Sequence, residues 1–246
     1  MLSLMTKTWR CDIAARQLRV SLGDTVLATT ERLADQTLEE ALLALLSPYG
    51  RRLPWLDAIE FSLDASMAYH FVTPWQDGIS TPAELRGYGN VIVQQHFPQL
   101  AGKPLKVGFE DMDYGCNALT MALEEDLWST LRAVARRLRL RLQAITTPLR
   151  SLVRSGKELP SNGIFAIMGS ESSTFACRVD GEWQQVYRMA FPDHAVEQQL
   201  TLILRLANMR TAPCYFWDSV NGQAGCFSKS EQLRGSVGKH QWAQVS

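Results

Sequence analysis

Apolar and polar residues alternate over the first thirty positions, which predicts strands. Leu18, Val20 and Leu22 share one face of an extended run, and Gly23–Asp24 offers a turn into a returning segment, TVLATTERL. The period then changes. TLEEALLALLSPYG has acidic residues in its first turn, Asp35 or Thr37 as a cap and Gly50 past its end, so it predicts a short helix. Alternation returns at Ile59, Phe61 and Leu63, and again at Met67, Tyr69 and Phe71, for one or two strands. Thr81 and Pro82 open a helix that Gly87 and Gly89 weaken. LKVGFEDMDYGCNALTMAL predicts two strands around a solvated acidic turn at Glu110, Asp111 and Asp113.

The strongest helical stripe follows. Leu123, Leu127, Leu131, Val134 and Leu138 keep one face, while Arg132, Arg136 and Arg137 stay off it. RLQAITTP reads as a strand, and a short helix and a linker-like stretch around Gly156–Gly163 come next. FAIMGSESSTFACRVDG is a buried strand, a hydroxyl-rich loop and a returning strand. HAVEQQLTLILRLANMR is a helix, PCYFWD a buried strand, and the residues from Ser228 onward a polar tail.

Composition narrows the classes. The chain has 246 residues, 46% hydrophobic and 20% charged, with a formal net charge of zero. A sizeable core follows, and bulk charge favours neither nucleic acid nor an acidic membrane. The five cysteines are odd in number and lack a CxxC pair, which predicts free thiols in a reducing compartment. The N-terminus has too short an apolar run for a signal peptide, and no stretch approaches a spanning helix, so a cytoplasmic protein is expected. His70, His96, His194 and His240 are scattered without metal-ligand spacing, and no GxSxG or Walker motif is present. The arginines at 132, 136, 137, 139 and 141 form one basic patch. It reads either as a solvated helix face or as a surface for acidic lipid or an acidic partner.

An internal repeat organises the rest. DIAARQLRV (Asp12–Val20) and IMGSESSTF (Ile167–Phe175) each give a strand, a short polar loop and a returning strand, followed by a third strand and a helix. Any pair of hairpins shares this outline, so the loop at Gly169–Thr174 reads either as a phosphate cradle or as an ordinary turn. With MAYHFVTPW and ALEEDLWSTLRAVARRLRLRLQAITTPLRSL in the same order, the chain resembles the actin-like PilM/GspL family of type IV pilus and type II secretion platforms over roughly residues 8–227. The resemblance implies a mixed α/β, actin-like/RNase H-like ATPase fold. It implies a first half at 1–155 with a small inserted subdomain at about 75–145. A second half at 156–227 lacks its own insertion, and a tail runs over 228–246.

In actin-like ATPases both hairpins wrap nucleotide phosphates, and an Asp in each holds the hydrated magnesium. Here Asp12 remains, with Ala14, Ala15 and Arg16 in the first loop. The second loop keeps Gly169, Ser170, Glu171 and Ser172, but Ile167 stands where the second Asp belongs, and bulky Phe216–Trp217 occupy the adenosine side. A lone carboxylate without further oxygens is a poor cation site, so Asp12 is read as a turn or cap residue. The expectation is a non-catalytic scaffold without cofactor or metal. The rival is an ATP- and magnesium-binding ATPase or sugar-kinase-like enzyme. The resemblance implies as partner the cytoplasmic tail of a single-span inner-membrane protein, with an assembly ATPase as a second partner, and no nucleic acid. Trp75, Tyr88, Leu127 and Leu131 are the residues expected to line the tail groove.

Overall fold

The computed structural model describes residues 6–33, 35–50, 56–154, 159–169, 171–190, 195–219 and 222–227. Its strands form two five-stranded sheets and one of three. The first sheet is built from β1 (Thr8–Ile13), β2 (Gln17–Leu22), β3 (Thr25–Glu31), β4 (Ala58–Leu63) and β8 (Arg141–Thr146), in the order β3-β2-β1-β4-β8. The second is built from β9 (Gly163–Met168), β10 (Ser173–Val179), β11 (Glu182–Met189), β12 (Cys214–Asp218) and β13 (Gln223–Phe227), in the order β11-β10-β9-β12-β13. In both, two hairpins precede a central parallel pair, β1 with β4 and β9 with β12.

The register turns the repeat into residue pairs. Asp12 faces Arg19 on β2 and Ser62 on β4; Ile167 faces Thr174 on β10 and Trp217 on β12. Just beyond the parallel strands, the Asp64 amide donates to the Ile13 carbonyl at 2.9 Å, and the Ser219 amide donates to the Met168 carbonyl at 2.9 Å. Asp12 and Ile167 are therefore counterparts, as are Ser62 and Trp217, and Asp64 and Ser219.

Helices α1 (Leu38–Leu46) and α3 (Glu125–Arg137) cover the first sheet, with Leu42, Leu46, Leu131 and Val134 buried against Cys11, Leu18 and Phe61. Thr37, not Asp35, caps α1 in a full capping box with Glu40. Helix α5 (Val196–Leu206) covers the second sheet through Leu200, Ile203 and Leu204. Helix α4 (Pro148–Arg154) lies between the halves. Its Leu149, Leu152 and Val153 share a core with Phe165, Ile167 and Trp183 of the second half.

The inserted unit differs from expectation. It is the sheet β5-β7-β6, made of β5 (Tyr69–Thr73), β6 (Leu105–Asp111) and β7 (Ala118–Glu124), with α2 (Pro82–His96) against it. It therefore runs from Tyr69 to Glu124 rather than over 75–145, because α3 packs with α1 and β8 pairs with β4 in the main body. Leu123 lies in β7, not in the helix that its spacing suggests. Gly89 does not break α2: a Cβ there would lie 3.3 Å from Val107 Cγ1 and 3.4 Å from Thr73 Oγ1, so the glycine lets the helix sit close to the sheet.

The acidic turn is solvated only at its tip, where Asp113 is exposed; Glu110 and Asp111 belong to β6. Glu110 is buried, and its Oε1 accepts from Thr147 Oγ1 at 2.5 Å and lies 3.3 Å from His70 Nε2. Trp183 Nε1 donates to Asp111 Oδ2 at 2.8 Å, and Asn117 binds the Glu182 carboxylate and the Trp183 carbonyl. These bonds tie the inserted sheet to both halves. Strand β13 has no counterpart in the sequence reading. Among the described residues no helix is long and apolar enough to cross a membrane. The expected tail at 228–246, like most of the linker's start, lies outside the described residues.

Candidate functional sites: the interhairpin cleft and a groove beside the inserted sheet

The two repeated hairpins face each other across a cleft lined by Asp12, Arg19, Asp64, Trp217, Ser219 and Gly222, among others. Asp12 is neither turn nor cap. It sits within β1 and receives Arg10 Nε at 2.8 Å, so its charge is met from its own strand. The same guanidinium donates to Ser62 Oγ at 3.2 Å and lies 5.8 Å from the centre of the Trp217 ring. Arg19 reaches the opposite wall, where its guanidinium occupies the space that a side chain on Gly222 would take. At the tips, Ala15 is half-buried, and exposed Arg16 stands 3.9 Å from Glu171, a contact of little energy in solvent. Gly169 packs against Asp64; Ser172 closes the turn; Ser170 lies outside the described residues.

Side chains fill this cleft. Its cavity volume is about 20 Å³, room for roughly one water, whereas sites for small organic ligands span about 300–1,000 Å³. Ile167 is fully buried in the core shared with α4 and offers no oxygen to a cation's hydration shell. These residues do not fit a magnesium nucleotide.

A larger opening lies elsewhere. A groove of about 300 Å³ runs between the inserted sheet and the main body. Its walls are Lys106, Val107, Gly108, Met121 and Leu123 from β6 and β7, Trp128 from α3, and Leu142 to Ile145 from β8. Each flank is a sheet edge, since β8 ends the first sheet and β6 ends the inserted one. Such edges present backbone donors and acceptors to whatever lies between them. Lys106 Nζ and the Arg132 guanidinium lie 5.3 Å and 5.2 Å from the Trp128 ring centre, and Lys106 also pairs with Glu125 at 2.8 Å. The groove therefore has an apolar floor and a basic, aromatic rim.

The residues expected to line a partner groove sit in other places. Leu131 is fully buried in the main core, and Leu127 packs against that core. Tyr88 packs on the cluster of Phe71, Ile92 and Val93 beneath α2. Trp75 meets Tyr114 edge to face at 4.8 Å and lines a separate apolar pocket of about 120 Å³ with Pro82, Leu85 and Met112. Trp128, which lines the groove, is not among them. Its signal in sequence was an aromatic one position off the helix's apolar stripe, flanked by Arg132.

No protein-family profile matches the chain, and no curated protein matches it in sequence. Solved structures match in shape. A Bacteroides thetaiotaomicron protein with actin-like ATPase fold and unknown function is 9% identical, covers 95% of this chain and 89% of its own, and has a TM-score of 0.57. A chain of a PilM–PilN type IV pilus biogenesis complex is 13% identical over 93% of this chain and 83% of its own, with a TM-score of 0.52. The cytoplasmic domain of EpsL, an inner membrane component of the type II secretion system of Vibrio cholerae, is 11% identical over 80% and 74%, with a TM-score of 0.48. This chain has a mixed α/β fold resembling the actin-like ATPase superfamily. At these identities the likeness is one of fold.

Proposed function

We propose that the chain is a non-catalytic, actin-like scaffold of the PilM/GspL kind, working at the cytoplasmic side of an inner-membrane pilus or secretion assembly. Its ligand is the extended cytoplasmic tail of a single-span membrane protein, and an assembly ATPase is a second candidate partner. The observation that carries the reading is a contrast within one molecule. The cleft that holds nucleotide in actin-like enzymes is filled by arginines and Trp217, while the groove between two sheet edges is open. An extended peptide suits that groove because strand edges supply backbone hydrogen bonds and an apolar floor selects side chains. The shape match to a chain of the PilM–PilN complex supports the setting.

The test is an array of synthetic cytoplasmic tails from single-span inner-membrane proteins, probed with the wild type and with Trp128→Ala. A tail should bind, and the variant should lose about tenfold or more in affinity, as for an aromatic anchor. Binding that ignores Trp128→Ala and Leu142→Asp would move the site elsewhere.

A further inference from the structure

Asp64 is an anomaly that the scaffold reading does not use. It is 4% exposed. Its carboxylate receives one long bond, from Ser66 Oγ at 3.4 Å, and its Oδ1 has no partner. Among the described residues no cationic side chain pairs with it. Arg19 lines the same cavity but turns to Gln17 and Gly222. A buried carboxylate without a partner is costly, and a bound group that met its charge would offset that cost.

The surroundings indicate what. A Cβ placed on Gly169 would lie 3.1 Å and 3.2 Å from the two Asp64 oxygens, and it would collide with the Ser172 carbonyl. Both carboxylate oxygens, from the first half, and that carbonyl, from the second, therefore lie close to Gly169. Two buried hydroxyls in the same region, Ser172 Oγ and Ser219 Oγ, also lack partners. Ser219 lines the cavity with Asp64, and that cavity holds about 20 Å³. Asp64 and Ser219 thus line one cavity where the second hairpin meets the end of β4, and Ser172 belongs to the turn that closes against it.

We propose that Asp64, Ser172 and Ser219 form an oxygen-only site for one small hard cation, which clips the first half to the second. Oxygen donors alone select hard cations over thiolate- or imidazole-seeking metals. An anion is disfavoured beside the Asp64 carboxylate, because the cavity's arginine, Arg19, is turned to Gln17 and Gly222. The small volume leaves space for the ion and little of its water. Asp64 comes from the first half and both serines from the second, so the ion bridges the halves where nucleotide phosphates bridge them in an active actin-like enzyme.

The test is thermal melting of the whole chain in sodium, potassium, magnesium or calcium chloride, against tetramethylammonium chloride at equal ionic strength. At least one of the four should raise the wild-type melting temperature. Asp64→Asn should abolish that rise and melt in tetramethylammonium no lower than the wild type, because the unmet charge is gone. Should Asp64→Asn fail to fold, Ser219→Ala carries the same expectation of a reduced rise. Terbium supplies an independent probe of a hard-cation site: Trp217 lines the cavity, so bound terbium should luminesce on tryptophan excitation, and added calcium should displace it. No response to any of the four salts, or a response that survives Asp64→Asn and Ser219→Ala, would overturn the proposal and leave the pocket to water.

Discussion

The two halves share a strand order and differ in what they place at matched positions. In the first, the central pair carries Asp12 opposite Ser62, with Asp64 beyond it and Arg10 and Arg19 around it. In the second, the matched places hold Ile167, Trp217, Ser219, Phe165 and Thr174. One wall of the cleft is charged and the other is apolar or hydroxylic. The backbone hydrogen bonds that define the fold are indifferent to this change, since Asp64 and Ser219 donate equivalent amide bonds at 2.9 Å. A nucleotide site is not indifferent, because it needs oxygens from both hairpins around one cation. The comparison therefore teaches that the architecture survives at one level while the chemistry is divided at the next.

A second difference lies at the outer edge. In the first half, β8 runs parallel to β4; in the second, β13 occupies the matching place antiparallel to β12. The parallel arrangement needs a crossover, and that crossover carries the inserted sheet and α3. The antiparallel one needs only a tight turn. The groove exists in the first half for that reason.

The largest expected effect comes from forcing the halves to match. Ile167→Asp gives the second half a carboxylate at the place matched to Asp12 but puts it in the core between α4 and β9. Urea denaturation should show a loss of about 4 kcal/mol, the scale of an unpaired buried charge. No nucleotide turnover should appear. A stable variant would mean that the second hairpin is open to solvent and that the comparison is misdrawn.

A smaller loss is expected at the edge. Gly225 on β13 lies opposite Phe216 on β12, and a side chain there would run into the ring. Gly225→Ala should cost about 2 kcal/mol, typical of overpacking. An unchanged melting temperature would argue against β13 as part of the second sheet.

The matched helices sharpen the contrast further. Helix α1 has the Thr37–Glu40 box, whereas α5 begins after Ala195 with no side-chain cap. Thr37→Ala should cost about 1 kcal/mol, and Ala195→Ser should gain a few tenths to about 1 kcal/mol. The Thr37 bonds hold the Glu40 carboxyl below the usual glutamate range. Its stabilisation is therefore present above that range and is lost as pH falls through the lowered value. Thr37→Ala should flatten this acid limb in melts recorded against pH.

The smallest signal comes from the thiols, which should respond alike in both halves. Burial pushes Cys177 and Cys214 up to about 12, and Cys11 higher still. Keeping them protonated stabilises the fold fully below the ordinary thiol range, and that contribution fades as pH rises towards about 12. Half-buried Cys116 and Cys226 should react first with a thiol reagent near neutral pH, and the three buried thiols only on unfolding.

Much of the fold was legible because it is written in local pattern. Period-two runs marked β1, β2, β4 and β5, caps marked α1 and α2, and the hairpin repeat aligned Asp12 with Ile167 in the register that the sheets adopt. What pattern cannot show is where a face points once elements pack. Glu110 looked solvated among acids, yet it meets His70 and Thr147 from two other elements. Leu131 looked available because it sat on a helix stripe, but that stripe is the core itself. Asp64 drew no attention, since its isolation arises only when the second hairpin closes over it. The groove was invisible for the same reason: its walls come from β6, β7, α3 and β8, and no single stretch contains it.

The measurement that bears most directly on the central claim is equilibrium binding of ATP with magnesium, followed by melting temperature and by turnover. The filled cleft predicts no rise in melting temperature at millimolar Mg-ATP and no phosphate release above an Asp12→Ala control. A rise that Asp12→Ala removes, or turnover above that control, would contradict it and return the chain to the active enzymes of its fold.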